Sequence, residues 1–201
     1  NPFKGWRLPP NTFKYMWDKN NLYLGFTTLF PRNAAIRMGS DRQSGSKAEE
    51  AWGYESFEFR IKAGKEMYRF AGNVAGGSSA SKRSDSNWNG EWDYKATLSH
   101  RIDDRKLWQG EVVIPWKTLG FNGPPKEGFS LNFSRSWLLV GCECLSSSAW
   151  NGNYVDDKVF QQVACEQVPS MQVLEQNSPE FGSLVQKLAF YSPVQTDVTY
   201  E

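Results

Sequence analysis

Along most of the chain, apolar and polar residues alternate in short runs that are separated by turn-forming residues. A period of two is typical of β-strands that bury one face and expose the other. The runs Phe13–Trp17 and Leu22–Leu29 flank the segment Asp18–Asn21, whose Asp and Asn residues predict a hairpin turn. The same pattern predicts two further hairpins, which are Phe57–Ile61 with Met67–Val74 and Trp92–His100 with Lys106–Ile114.

The rest of the chain predicts two later strands, Leu131–Leu139 and Leu184–Tyr191, and very little helix. Only Pro115–Gly120 predicts a helical turn, because proline favours the start of a helix and glycine its end. Three segments are expected to be loops because they are rich in Gly and Ser or have weak periodicity. They are Pro31–Glu50, Ala75–Asn87 and Leu145–Pro179. We therefore expect an all-β protein, an antiparallel two-sheet sandwich of jelly-roll or immunoglobulin-like type, with residues 1–201 as a single domain.

The composition is electrically balanced and strongly aromatic. The chain has 23 Lys and Arg against 22 Asp and Glu, a net charge of +1. Nucleic acids and anionic membrane surfaces both select for a clear basic excess, so neither is expected as a partner. No run of residues reaches the apolar length of a membrane span, and membrane insertion is not expected either.

Aromatic residues make up 15% of the chain, and nine of them are Trp. Aromatic side chains pack well in β cores, and they also form flat binding platforms. We assign Trp108, Trp116 and Trp137 to the core, and we expect Trp88, Trp92 and Trp150 to be partly exposed. Of the three cysteines, Cys165 could pair with either Cys142 or Cys144, which leaves one thiol over.

A set of short motifs occurs in a fixed order between about residue 18 and about residue 190. The central part contains Trp108, Glu111, Ile114–Trp116, Leu119–Gly120, Pro125 with Gly128, and Asn132 with Arg135. The flanking parts are DKNNLYLGF from Asp18, WGYESFEFRI from Trp52, and EFGSL from Glu180. In this order the motifs resemble the family 9 carbohydrate-binding modules and the wider DOMON-type sandwich superfamily, which implies the same sandwich fold.

The resemblance also implies sugar binding and a set of site residues. Trp52 matches the family's first stacking tryptophan, Glu58 its hydroxyl-accepting carboxylate, and Asn132 its amide. The second stacking tryptophan has no counterpart in Leu174–Asn177, so Trp150, Tyr154 or Trp88 would have to replace it from a neighbouring loop. The family has an acidic residue shortly after its first tryptophan, and in this sequence Tyr54–Glu55 replaces that part of the motif. The replacement is expected to alter hydroxyl contacts or a structural calcium site.

These residue types suit a saccharide. A flat indole covers the apolar face of a pyranose ring at little cost in side-chain entropy, and charged groups form the stronger hydrogen bonds to hydroxyls. The predicted ligand-binding residues are Trp52, Tyr54, Glu58, Trp88, Asn132, Arg135 and Trp150. If the polymer is sulfated or uronic, Arg135 and the Lys82–Arg83 segment are expected to recognise the anion.

The expected function is therefore non-catalytic binding of a poly- or oligosaccharide through aromatic stacking and polar contacts. No cofactor is expected apart from a possible structural calcium ion. The expected setting is a larger secreted, cell-surface or periplasmic protein to which this sandwich is appended.

Three alternatives stay open at this stage. The first is a sandwich that serves protein interaction or structure and has lost the sugar site. The second is a haem-binding relative, with ligands drawn from His100, Met16, Met38, Met67 and Met171. The third is a glycoside-cleaving enzyme, although its candidate carboxylates, Asp103–Asp104 and Asp156–Asp157, are more typical of turns, loops or calcium ligands.

Overall fold

The computed structural model describes the chain over residues 11–32, 34–39, 54–85, 87–101, 104–137, 156, 158 and 160–165, and the backbone alone over 43–44, 146–149, 170–176 and 186–191. The strands are β1 (Asn11–Trp17), β2 (Asn21–Leu29), β3 (Gln43–Ser44), β4 (Ser56–Ala63), β5 (Glu66–Asn73), β6 (Ser78–Lys82), β7 (Asp93–His100), β8 (Lys106–Pro115), β9 (Phe129–Trp137), β10 (Ser146–Ala149), β11 (Gln161–Val163), β12 (Ser170–Gln176) and β13 (Gln186–Tyr191).

Two sheets make up the sandwich, which confirms the predicted fold class. The smaller sheet has the strand order β1-β2-β8-β7. The larger sheet has the order β10-β9-β4-β5-β6-β3, and β11 also pairs with β9. All of these pairings are antiparallel except the short parallel contact between β3 and β6. Strands β12 and β13 pair with each other.

The core lies between the two sheets and is built largely from aromatic rings. Phe26 of β2 reaches across to Phe57 of β4 with a centroid distance of 4.7 Å and to Phe133 of β9 at 5.7 Å. Trp108 of β8 meets the Phe26 ring edge-on at 5.0 Å. Such offset and edge-to-face contacts are the favoured geometries of aromatic pairs, and burial of each ring contributes about 1.5–3 kcal/mol.

The three predicted hairpins are confirmed as β1–β2, β4–β5 and β7–β8. In the first turn, the Asp18 carboxylate accepts hydrogen bonds from the backbone N–H groups of Asn20 and Asn21, both at 2.7 Å. Slight burial alone would raise the pKa of Asp18, but these hydrogen bonds and one from Tyr23 lower it below its ordinary value. The Asp and Asn composition thus acts as the turn signal that the sequence predicts.

The predicted helical turn is also confirmed. Trp116–Leu119 forms a 3-10 helix that ends at Gly120, whose φ of 83° lies in the left-handed region that favours glycine. The buried Trp116 side chain donates its Nε1–H to the Asp18 carbonyl at 2.9 Å, which ties the helix to the first hairpin turn. None of the described residues forms a helix long and apolar enough to cross a membrane.

The tryptophan assignments agree with the structure wherever the side chains are described. Trp108, Trp116 and Trp137 are buried, while Trp88 and Trp92 are half-buried. Trp150 lies outside the described residues.

The predicted loops are wrong in part. Ala75–Asn87 contains β6, which pairs antiparallel with β5. Its Ser79 and Ala80 side chains are small and buried, so the pairing depends on backbone hydrogen bonds that a reading of apolar side chains does not detect. In the same way, β3 lies within the predicted loop Pro31–Glu50, and β10, β11 and β12 lie within Leu145–Pro179.

Close packing on Gly110 gives a first testable prediction. A Cβ atom at this position of β8 would lie 2.2 Å from the Phe26 ring, which cannot retreat because it is packed between both sheets. We expect Gly110→Ala to lower the free energy of unfolding by about 1–3 kcal/mol, as overpacking does elsewhere. Urea unfolding followed by tryptophan fluorescence measures this loss.

Gly25→Ala on the neighbouring strand β2 is the matched control. Among the described residues, the Gly110 carbonyl oxygen is the atom nearest to a Cβ there, at 3.9 Å. We expect a change within about 0.5 kcal/mol, or a small gain from the stiffer unfolded chain. Equal losses in both variants would contradict the packing of Phe26 on Gly110.

Candidate functional site

The outer face of the larger sheet is polar, and strand periodicity explains why. In β4 the side chains of Phe57, Phe59 and Ile61 are buried in the core. Successive side chains of a strand point to opposite faces, so Glu58 and Arg60 lie on the outer face. The same alternation puts Arg69 of β5 and Ser81 of β6 on that face, because Tyr68, Phe70 and Ala80 point inwards.

The register of the sheet brings these polar residues side by side. Arg60 lies opposite Asn132 of β9 on one side and opposite Arg69 on the other. Arg69 in turn lies opposite Ser81. One polar row therefore crosses four adjacent strands, β9, β4, β5 and β6.

Glu58 connects two of the arginines in this row. Its carboxylate accepts a hydrogen bond from Nε of Arg60 through one oxygen, and from Nε of Arg69 at 2.9 Å through the other. Glu58 is only 2% exposed, while the two arginine side chains are 21% and 24% exposed. The carboxylate thus lies beneath the two guanidinium groups and holds both in position.

A cavity of about 350 Å³ opens beside this ion cluster. We call it the arginine cavity, and it is lined by Arg60, Met67, Arg69, Ser81 and Arg83. Arg83 follows β6 directly, and its backbone N–H donates to the Met67 carbonyl at 2.9 Å, so it extends the same sheet. The volume falls in the range of about 300–1,000 Å³ that is usual for small-molecule sites.

The charge on this face is unbalanced. Across β4, β5, β6 with Arg83, and β9, the described outer-face positions hold four cationic side chains, Arg60, Lys62, Arg69 and Arg83, against the single carboxylate of Glu58. Like charges directly opposite each other destabilise a strand pair, and Glu58 offsets this effect between Arg60 and Arg69. Among the described residues, no carboxylate forms an ion pair with Arg83.

Lys82 does not share this face with its neighbour Arg83. Its ammonium group lies 5.7 Å from the centre of the Tyr68 ring and 3.5 Å from the Glu66 carboxylate, on the inner side of the sheet. The Lys82–Arg83 pair that the sequence predicts as one anion-binding segment is therefore divided between the two faces, and only Arg83 lines the cavity.

Two of the predicted ligand-binding residues, Glu58 and Asn132, do come together on the outer face. Asn132 is 1% exposed, and its Oδ1 accepts a hydrogen bond from the Phe133 backbone N–H at 2.9 Å. Both residues thus lie beneath more exposed side chains rather than at the surface.

Arg135 points the other way, into the core. Asn132 and Arg135 are three positions apart on one strand, so their side chains leave opposite faces of the sheet. Arg135 is 0% exposed, and its guanidinium carbon lies 4.4 Å, 4.6 Å and 5.2 Å from the ring centres of Trp137, Trp108 and Phe30. In this position it has no surface through which to contact a ligand or a sulfated or uronic polymer.

The Arg135 charge is compensated inside the protein. Nη2 pairs with the Glu55 carboxylate, which is also 0% exposed, and Nη1 donates to the backbone carbonyls of Ser56 and Ser136. Burial lowers the pKa of Arg135, and the negative charge of Glu55 opposes that shift. This arrangement of a cation among aromatic faces and one carboxylate is a structural element of the core.

Trp88 lies apart from the polar row. It packs on the inner-face rings of Tyr68 and Phe70, with centroid distances of 5.5 Å and 6.0 Å. It also borders a shallow depression of about 310 Å³ near the 3-10 helix, lined by Trp88, Asn89, Gly90, Glu91, Lys117 and Thr118. A hydrogen bond from Lys117 lowers the pKa of Glu91 there.

Of the other predicted residues, Tyr54 is 36% exposed just before β4 begins. Trp52 and Trp150 lie outside the described residues, as does Tyr154.

The groups proposed for other chemistry are scattered. His100 is exposed on β7 of the smaller sheet, whereas Met67 lies on β5 of the larger one. Within the described part of the chain, no three His, Cys, Asp or Glu side chains converge in a way that could hold a metal ion. Cys165 is a free, half-buried thiol, and burial raises its pKa to about 11.

Arg60 and Arg69 are not among the ligand-binding residues that the sequence predicts. Their position was readable in part, because Glu58 and Arg60 alternate with Phe57, Phe59 and Ile61 and so share one face. The adjacency of Arg60 and Arg69 depends on the hairpin register, which places the two turn residues Gly64 and Lys65 between β4 and β5.

Comparisons with known proteins support the fold. No protein-family model matches the chain, and no curated protein sequence does. A crystal structure at 2.70 Å resolution of a "putative carbohydrate-binding protein" from Bacteroides uniformis ATCC 8492 is similar, with a TM-score of 0.59. The two chains are 13% identical, and the match covers 77% of each. At this identity the similarity shows a shared fold and nothing finer.

The buried Arg135–Glu55 pair gives the second prediction. Arg135→Met keeps most of the side-chain volume but leaves the Glu55 carboxylate buried without its guanidinium partner. We expect the free energy of unfolding to fall by about 3–5 kcal/mol, measured by urea denaturation.

The double variant Glu55→Leu/Arg135→Met removes both charges and is expected to be clearly more stable than Arg135→Met alone, because no buried charge is left without its partner. Losses that simply add in the double variant would contradict a coupled ion pair.

Proposed function

We propose that this protein binds a carbohydrate on the outer face of its larger sheet. The observation that carries the proposal is the polar row across β9, β4, β5 and β6, beside a cavity of about 350 Å³. Guanidinium and hydroxyl groups line the cavity from neighbouring strands and offer both donors and acceptors to sugar hydroxyls, while the buried Glu58 carboxylate holds two of the guanidinium groups in position.

Two further observations support the proposal. The resemblance to family 9 carbohydrate-binding modules implies Glu58 and Asn132 as hydroxyl-binding residues. Both lie on this outer face of the sheet and not on the face that packs in the core. The fold is also shared with the protein from Bacteroides uniformis that is named as carbohydrate-binding. We extend the proposal to Trp52, which precedes β4, as a stacking platform, and to a role outside the cytoplasm, where polysaccharides are met.

The test is affinity electrophoresis against a panel of neutral and charged polysaccharides, with calcium present. Ser81→Trp places a large side chain in the lining of the arginine cavity and changes no charge. We expect the wild-type protein to be retarded by at least one polymer, with micromolar to millimolar affinity, and Ser81→Trp to lose this retardation. Trp52→Ala is expected to weaken it as well.

Thr97→Trp is the matched control. Thr97 is an exposed residue in the middle of β7, on the outer face of the smaller sheet, and receives the same bulky side chain far from the cavity. Retardation that persists in Ser81→Trp, or that is lost equally in Thr97→Trp, would contradict the proposed site. Absence of retardation by every polymer, with all variants folded by circular dichroism, would favour the interaction-module alternative.

A further inference from the structure

We infer that the arginine cavity recognises a negatively charged group on the saccharide, a carboxylate or a sulfate ester. This inference rests on the proposed function, since it names the class of sugar that the same site takes. It starts from a feature of the cavity that a neutral sugar would not require, which is the number of guanidinium groups that line it.

Three arginines meet at the cavity, from β4, from β5 and from the position directly after β6. Arg60 and Arg69 are direct cross-strand partners, and Arg83 stands one row further along, beside Met67. Bringing like charges together in this way costs stability in the free protein. An anion in the cavity would offset that cost, because the planar fork of a guanidinium matches the oxygens of carboxylates and sulfates.

Glu58 compensates only part of this charge. Its two oxygens each accept from the Nε atom of one arginine, so it orients Arg60 and Arg69 from below. The carboxylate is 2% exposed and therefore does not itself occupy the cavity opening. Arg83 is exposed, and no described carboxylate pairs with it, which makes it the residue whose charge is available at the opening.

A second carboxylate near the cavity, that of Glu66 at the start of β5, pairs with other residues and not with the three arginines. Glu66 accepts from Ser84 and pairs with Lys82 at 3.5 Å, on the opposite side of β5 from Arg69. Among the described side chains that adjoin the cavity, Glu58 is therefore the carboxylate that faces its three arginines.

The test compares oligosaccharides that differ in charge and little else, by isothermal titration calorimetry. One pair is oligogalacturonate against its methyl ester, which differ at the carboxylate. The other pair is carrageenan oligosaccharides before and after chemical desulfation, which differ at the sulfate esters. We expect the charged member of one pair to bind about tenfold more tightly or better than its neutral counterpart, and the pair that shows this identifies carboxylate or sulfate as the group recognised.

Arg83→Gln is the decisive variant, because it removes a charge without removing a partner from Glu58. We expect it to lower the affinity for the charged member to that for the neutral member, so that the preference is abolished. Arg32→Gln, at an exposed position after β2, makes the same charge change away from the cavity and is expected to keep the preference.

Equal affinity for both members of each pair, unaffected by Arg83→Gln, would overturn the inference and leave sugar binding intact. A loss of preference in Arg32→Gln as large as that in Arg83→Gln would also overturn it, since diffuse protein charge would then be responsible. Failure of every charged and neutral saccharide to bind would instead refute the proposed function itself.

Discussion

The aromatic contact between the two sheets constrains the rest of this structure. Phe26 of the smaller sheet packs against Phe57 and Phe133 of the larger one, and Trp108 closes the contact from β8. A shift of β4 by one residue would expose its buried rings and bury Glu58 and Arg60 in their place. The hydrophobic effect on one face of the sheet therefore determines which polar side chains stand on the other face.

That constraint separates two clusters of charge with different roles. Arg135 and Glu55 are buried on the inner side of the larger sheet, among Trp108, Trp137 and Phe30, and each compensates the other. On the outer side, the described cationic residues outnumber the described carboxylates, and the arginine cavity opens beside them. A balanced buried pair contributes to the architecture of the core, whereas an unbalanced and partly exposed cluster is suited to a charged ligand.

The candidate site also shows why a motif resemblance gives incomplete information about function. The resemblance implies Glu58 and Asn132 as hydroxyl-binding residues, but both are almost fully buried, and the more exposed groups above and beside them are arginines. Arg69 and Arg83 are not part of the motifs on which the resemblance depends. A shared sandwich can thus carry a different polar surface on the same strands, and the chemistry of that surface decides the ligand.

The sequence by itself determined the fold class, the three hairpins and the 3-10 turn, because each depends on local signals: a period of two, Asp and Asn in turns, and a glycine after a short helical segment. It also assigned Trp108, Trp116 and Trp137 to the core. It could not detect β6, whose small residues Ser79 and Ala80 carry no strong strand signal. Only the tertiary structure decided that Arg60, Arg69 and Arg83 share one cavity, since their adjacency comes from the pairing register of separate strands. Likewise, only its burial among three aromatic rings showed that Arg135 belongs to the core.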